Sequence, residues 1–230
     1  MSRILCAGDV HGEHCNIASL FHLASKRNCD RIHVLGDLGV FPNLYPKFLP
    51  YCSELVSKYS IPLSFTDGNH EDYFFLNSLP ETEERFVSEG VEWFWRGKVF
   101  ENILSIGGAY SIDKNSRTMG IDWFPEELIS TKDLYNCFEK SAMIVFSHDT
   151  PIELNLFLGK DDPETISNRK MLSSIVNSVQ PKILIHGHYH RFYDTPIQMD
   201  YGICRVIGLD CGENPEDQCL ILDNGEVEIL

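Results

Sequence analysis

Three histidines, His186, His188 and His190, close the apolar run in "LIHGHYH" (184–190), in a chain with nine histidines in all. Imidazole at the end of a buried run, beside a glycine that lets the backbone bend, is a metal-capable group in a suitable place. The coincidence recurs at four other places: Asp9-Val10-His11-Gly12, Gly36-Asp37, Gly68-Asn69-His70-Glu71 and Ser147-His148-Asp149. Asp and Asn offer hard oxygen, and His offers nitrogen. That mixture suits Mn²⁺, Fe, Zn²⁺ or Ni²⁺ rather than a thiolate-rich structural zinc. The metal-capable residues at these places are Asp9, His11, Asp37, Asn69, His70, Glu71, His148, Asp149, His188 and His190. Seven such groups divide between two divalent ions sharing one carboxylate, with Mn²⁺ the first expectation. A pair of ions of this kind activates water and stabilises the attacking and leaving oxygens of an in-line displacement. Taken singly, Asp9 would pass as a helix N-cap, Asn69 as a turn residue and His188 and His190 as surface histidines. Five matching run ends favour the ligand reading.

The elements that must position these groups follow from periodicity. "RILCAG" (3–8), "RIHVLG" (31–36) and "IPLSFTDG" (61–68) are buried strands, separated by helical patterns over about 13–28 and 45–59. Pro50 is expected to break or delay the second helix. This β-α-β-α-β order predicts parallel strands with crossover helices. "KVFENILSIGGAYS" (98–111) predicts two short strands around Glu101-Asn102. "SIDKNSRTMGIDWFPEEL" (111–128) is polar and turn-rich, an excursion near a site. Helices over about 131–140 and 164–179 flank the strand "AMIVFS" (142–147) and precede "KILIHG" (182–187). The tail runs 202–212 and 218–230 predict antiparallel strands, with Asn224-Gly225 as a hairpin turn. The fold class expected is α/β, one domain over 1–230 containing two sheets.

Composition sets outer limits. The chain has 230 residues, 43% hydrophobic and 23% charged, the balance of a globular protein, with a formal charge of −15. Such a surface repels phosphate backbones at long range, so non-specific binding to duplex nucleic acid is not expected. No apolar run reaches the length of a membrane span, and residues 1–14 lack the apolar stretch of a signal peptide. Eight cysteines contain no CxxC pair, which predicts buried thiols in a reducing, cytoplasmic setting.

"GDVHG", "GD", "GNHE", "SHD" and "GHYH", in that order from residue 8 to residue 190, resemble the signature of the calcineurin-like metallophosphoesterases. The resemblance implies a two-sheet β-sandwich flanked by helices. It implies that Asp9, His11 and His190 hold one ion, that Asn69, His148 and His188 hold the other, and that Asp37 bridges them. His70 would stay off the metals and polarise the phosphate or protonate the leaving oxygen. "GDLGV" departs from the pattern: Val40 stands where a second acidic residue is frequent, and the Asp-Arg-Gly of the protein-phosphatase branch is missing. The 107–127 segment resembles one in small bacterial and phage members with undefined substrates.

The activity expected is hydrolysis of a small-molecule or nucleotide phosphoester, phosphodiesterase-like, by a metal-bridging hydroxide. Alternatives are a phosphomonoesterase, a dinucleoside polyphosphate hydrolase, or a non-catalytic module on the same fold that binds a phosphate ligand or a partner. Lys114, Arg117 and Arg191 are candidate substrate-phosphate clamps in an otherwise acidic chain. Glu71 and Asp149 are expected to orient ligands or to act as caps rather than to bind metal. His14, His22 and His33 fall outside the cluster. Trp93, Phe94 and Trp95 suit a core or interface, and Trp123 suits either a substrate ring or the domain edge.

Overall fold

The computed structural model describes residues 2–156, 162–211 and 219–230. Its first half is β1 (Arg3–Ala7), α1 (His14–Lys26), β2 (Arg31–Leu35), α2 (Tyr45–Tyr59), β3 (Leu63–Thr66), α3 (Tyr73–Ser78), β4 (Arg85–Ser88), β5 (Val91–Trp93), β6 (Val99–Phe100) and β7 (Ile103–Ile106). Then come α4 (Thr131–Cys137), β8 (Ile144–Ser147), α5 (Pro163–Val179), β9 (Ile183–His186), β10 (Tyr193–Met199), β11 (Gly202–Gly208), β12 (Cys219–Asp223) and β13 (Glu226–Ile229).

The strands form two mixed sheets, ordered β13-β12-β1-β2-β3-β5-β4 and β10-β11-β9-β8-β7-β6. Within each, the central strands run parallel. Strands buried on both faces must be apolar on both, and alternation assigns the faces. On β1, Leu5 and Ala7 join a core with α1 and α2, while Ile4 and Cys6 join the layer of Leu35, Phe146, Ile185 and Ile207 between the sheets. A third cluster, with Leu172, Ile175 and Val176 of α5, covers the outer face of the second sheet. The result is helix, sheet, sheet, helix.

The helices form where the 3.6-residue period places apolar side chains on one stripe, as with Ile17, Leu20, Phe21 and Ala24 of α1. Asp162 caps α5 with Pro163 in its first turn, and Ser130 and Asp133 form a capping box on α4.

Several expectations are corrected. α2 runs unbroken through Pro50, because the buried Phe48, Leu49, Cys52 and Leu55 anchor it against the sheet. α4 ends at Cys137, short of Lys140. The tail runs do form antiparallel strands, divided between the two sheets. β11 lies parallel to β9 and antiparallel to β10 in one sheet, and β12 lies antiparallel to β1 in the other. The Asn224-Gly225 hairpin is present, pairing Asp223 with Glu226. Gly212 and Gln218, at the ends of the tail runs, lie outside the described residues. Short α3, the β4–β5 hairpin and β10 add to the elements expected from periodicity.

Candidate metal centre

The carboxyl ends of β1, β2, β3, β8 and β9 deliver Asp9, Asp37, Asn69, His148 and His188/His190 to one place. Backbone bonds fasten the loops together. The amides of Val10 and His11 donate to the Asp37 carbonyl at 3.1 and 2.7 Å, and Gly12 donates to the Leu38 carbonyl at 2.9 Å. Glu71, as an orienter, takes the Leu38 amide at 2.9 Å and the Gly68 amide at 2.6 Å, joining the second and third loops. Asp149 takes Asn168 Nδ2 at 2.8 Å and the Tyr189 hydroxyl at 2.7 Å, tying the fourth loop to the fifth.

Two glycines are required by close approach. A Cβ on Gly68 would lie 2.0 Å from Asp37 Oδ1, and one on Gly187 would lie 2.2 Å from Asp9 Oδ1. Neither loop could carry a larger residue and leave these carboxylates in place.

Asp37 Oδ2 is the hub. His148 Nε2 lies 3.4 Å away, His70 Nε2 3.9 Å and His11 Nδ1 4.0 Å. Asp9 Oδ2 bonds His190 Nε2 at 2.9 Å, with His11 Nε2 3.7 Å away, while Asp9 Oδ1 takes the His188 amide at 2.9 Å. Asn69 Oδ1 meets His148 Nε2 at 3.0 Å, and the His148 and His188 rings are 4.9 Å apart. Asp9, His11 and His190 form one group with converging donor atoms, and Asp9, Asp37 and His148 form another. All seven candidate ligands are therefore brought together.

The donor set fits divalent cations. Asp9 and Asp37 are 2% and 1% exposed, and buried carboxylates need compensating positive charge. Burial opposes a charge on His148, but Asp37 and Asp9 outweigh it and hold the imidazole up to about 10. Burial raises Asp37 less than His148 and its neighbours lower it, leaving the carboxyl well below its ordinary range. His188 is pushed down to about 4 by burial and by His148, so it offers a neutral ring. His148 Nδ1 faces the Leu35 carbonyl at 2.8 Å, which fixes a hydrogen there, so the proton an arriving cation would displace is the one on Nε2. His11 Nε2 and His190 Nε2 face each other at 3.2 Å, so at least one presents a lone pair inward.

His70 stands beside this group, its amide donating to Asp37 Oδ1 at 2.9 Å. Arg117 Nη2 donates to His70 Nε2 at 2.9 Å, so the ring hydrogen belongs on Nδ1. Burial and the Arg117 charge lower the His70 pKa, although Asp37 opposes them. Of the three candidate clamps, only Arg117 is drawn to the centre. Lys114 pairs with Glu164 and lies over the Tyr110 and Trp123 rings, and Arg191 is exposed beside His190 in sequence.

His33 is buried between Ser64 and Thr66 hydroxyls, each 2.9 Å away, while His22 is exposed on α1 and His14 packs by Phe48. His186 turns from the centre to Tyr193 and the Gly187 carbonyl. Trp93 and Phe94 are core, with Trp95 partly buried beside them. The sequence reading missed Ser111 and Glu127, both buried next to Asn69 and Arg117, and the buried Asp67–Arg96 pair at 2.8 Å. None of the eight cysteines is in a disulfide.

The calcineurin-like phosphoesterase family matches residues 2–192, and the chain belongs to it. Among solved structures, TT1561 of Thermus thermophilus is similar at 16% identity and a TM-score of 0.57, with 99% of this chain and 97% of that one covered. A dimetal phosphatase from Danio rerio is similar at 13% identity and a TM-score of 0.53, covering 96% of this chain and 91% of that one. These likenesses concern the fold. No curated protein is significantly similar in sequence.

Proposed function

We propose that this chain is a dinuclear-metal-dependent phosphoester hydrolase with a preference for diesters, working as one domain. The observation that carries the reading is the convergence of seven oxygen and nitrogen donors from five strand ends around Asp37 Oδ2, with a non-ligand histidine at their edge. When bound, two divalent ions, Mn²⁺ being the first choice, would activate water and neutralise charge on the phosphoryl oxygens. Asp9, His11 and His190 would hold one, Asn69, His148 and His188 the other, and Asp37 both. His70 would polarise the phosphate by donating a hydrogen bond from Nδ1–H to a phosphoryl or leaving oxygen. Arg117 would keep His70 in that tautomer and place positive charge near a phosphoryl oxygen.

The diester preference is supported by charge. Arg117 stands beside His70, while Lys114 is tied to Glu164. A dianionic monoester would call for more protein-borne cations than that, and a monoanionic diester would not. Eight cysteines without a disulfide suit a reducing, cytoplasmic setting.

The test is metal analysis of the purified protein coupled to parallel assays on bis(4-nitrophenyl) phosphate and 4-nitrophenyl phosphate with Mn²⁺. Faster diester cleavage supports the proposal, and faster monoester cleavage selects the phosphomonoesterase alternative. Bound ions with no turnover of either ester or of a dinucleoside polyphosphate would leave a binding module on the same fold.

A further inference from the structure

A relay stands behind the amide of Asn69. Asn69 Nδ2 donates to Ser111 Oγ at 3.0 Å, and the Ser111 hydroxyl donates to Glu127 Oε2 at 2.5 Å. Arg117 Nη1 donates to the same Ser111 oxygen at 3.2 Å. Ser111 and Glu127 are 2% and 1% exposed. A hydroxyl has one hydrogen and two lone pairs. Here the carboxylate takes the hydrogen, so both lone pairs face donors.

That polarity bears on a particular ambiguity. An asparagine amide is nearly symmetric in shape, and turned over it presents N–H where it had oxygen. Turned over here, Oδ1 would face a hydroxyl oxygen whose hydrogen points elsewhere, and Nδ2 would replace the oxygen now 3.0 Å from His148 Nε2. An N–H₂ group cannot ligate a cation.

We propose that Glu127 is a positioning residue which, through Ser111, locks the Asn69 amide with its oxygen facing the candidate metal centre. This rests on Asn69 being a ligand. The second oxygen of Glu127 takes the Phe124 amide at 3.3 Å and lies 3.8 Å from Arg117 Nη1. Both carboxylate oxygens therefore act as acceptors. Glutamine has one acceptor and one N–H₂, so it cannot serve Phe124 and Ser111 together. Without a fixed acceptor, the Ser111 hydrogen is free to turn to Asn69 Oδ1, and the wrong amide orientation is no longer penalised at Ser111.

The experiment is Mn²⁺ titration by calorimetry at pH 8, without substrate, with thermal melts to verify folding. The parent should bind two ions. Glu127→Gln and Ser111→Ala should each weaken one of the two steps by about tenfold, the scale of losing a ligand's outer partner. The Ser111→Ala/Glu127→Gln pair should match Ser111→Ala within about twofold, because both changes cut one chain. Asn69→Asp supplies two oxygens and has no wrong face. Adding Glu127→Gln to Asn69→Asp should therefore leave Mn²⁺ affinity unchanged within about twofold, or tighten it. Equal weakening in the parent and in the Asn69→Asp background would mean a general structural role and overturn the proposal. So would Glu127→Gln binding both ions as the parent does. A parent that binds no Mn²⁺ pair, or an Asn69→Ala variant that binds it undiminished, would instead overturn the ligand reading together with the relay.

Discussion

The two halves of the candidate centre are built differently. In the inner half His188 is half-buried, and His148, Asp37 and Asn69 are 0%, 1% and 3% exposed. Each of these last three is held by a further partner: the Leu35 carbonyl, the His70 amide and Ser111. In the outer half only Asp9 is buried, and the side chains of His11 and His190 are 30% and 45% exposed. The inner half has its geometry before an ion arrives. The outer half must immobilise two exposed rings when one binds, at a cost in side-chain entropy. The inner ion should bind first and leave last.

The sharpest way to break this contrast is Asp37→Ala, which removes the hub of both halves. Turnover should fall to background and metal analysis should find neither ion at stoichiometric level, while circular dichroism stays native. A variant that retains both ions and full rate would refute the shared-hub arrangement. His70→Ala comes next. Loss of a preorganised hydrogen-bond donor to the developing charge lowers rate by about 10²–10³-fold, and both ions should remain. Loss of an ion in this variant would make His70 a ligand of the inner half.

His190→Ala tests the asymmetry itself. It should weaken only the outer step, by about 10–100-fold, the range typical when a metal site loses one supporting group. Excess Mn²⁺ should restore part of the rate. If His190→Ala instead releases the inner ion first, the halves are not independent.

The smallest effect is on stability. Burial raises the Glu127 carboxyl from 4.5 to about 7, so the folded chain keeps this proton when the unfolded chain has lost it. The stability so contributed is complete below pH 4.5 and disappears as pH rises through 7. Metal-free Glu127→Gln should therefore gain about 2 kcal/mol on the parent between pH 5 and pH 8, measured by urea unfolding. A gain that shrinks with pH would contradict the raised pKa.

The convergence of the candidate residues was legible in the chain because each closes an apolar run beside a turn residue. The central parallel strands were legible for the same reason. What failed lies where the signal is short or distant. β10 carries Pro196, which argues against a strand, yet it is an edge strand and tolerates the missing N–H. α3 and β5 are six and three residues long, too short for a period to emerge. Asp67 and Arg96 pair across 29 positions with no motif to join them. Ser111 and Glu127 sit in the polar segment expected to visit a site, but nothing in its spacing singles out the hydroxyl and carboxylate that meet behind Asn69. Lys114 shows the converse: a cation in the right segment whose charge is taken by Glu164.

His11, Asp37, His188 and His190 all have backbone φ between 48° and 69°. A side chain in that left-handed region costs roughly 1–2 kcal/mol, and glycine is free of the penalty. At these four positions, selection for a sturdier protein and selection for a working one pull toward different residues. A library sorted by thermal endurance should enrich glycine there, and the same library sorted by hydrolysis should discard it.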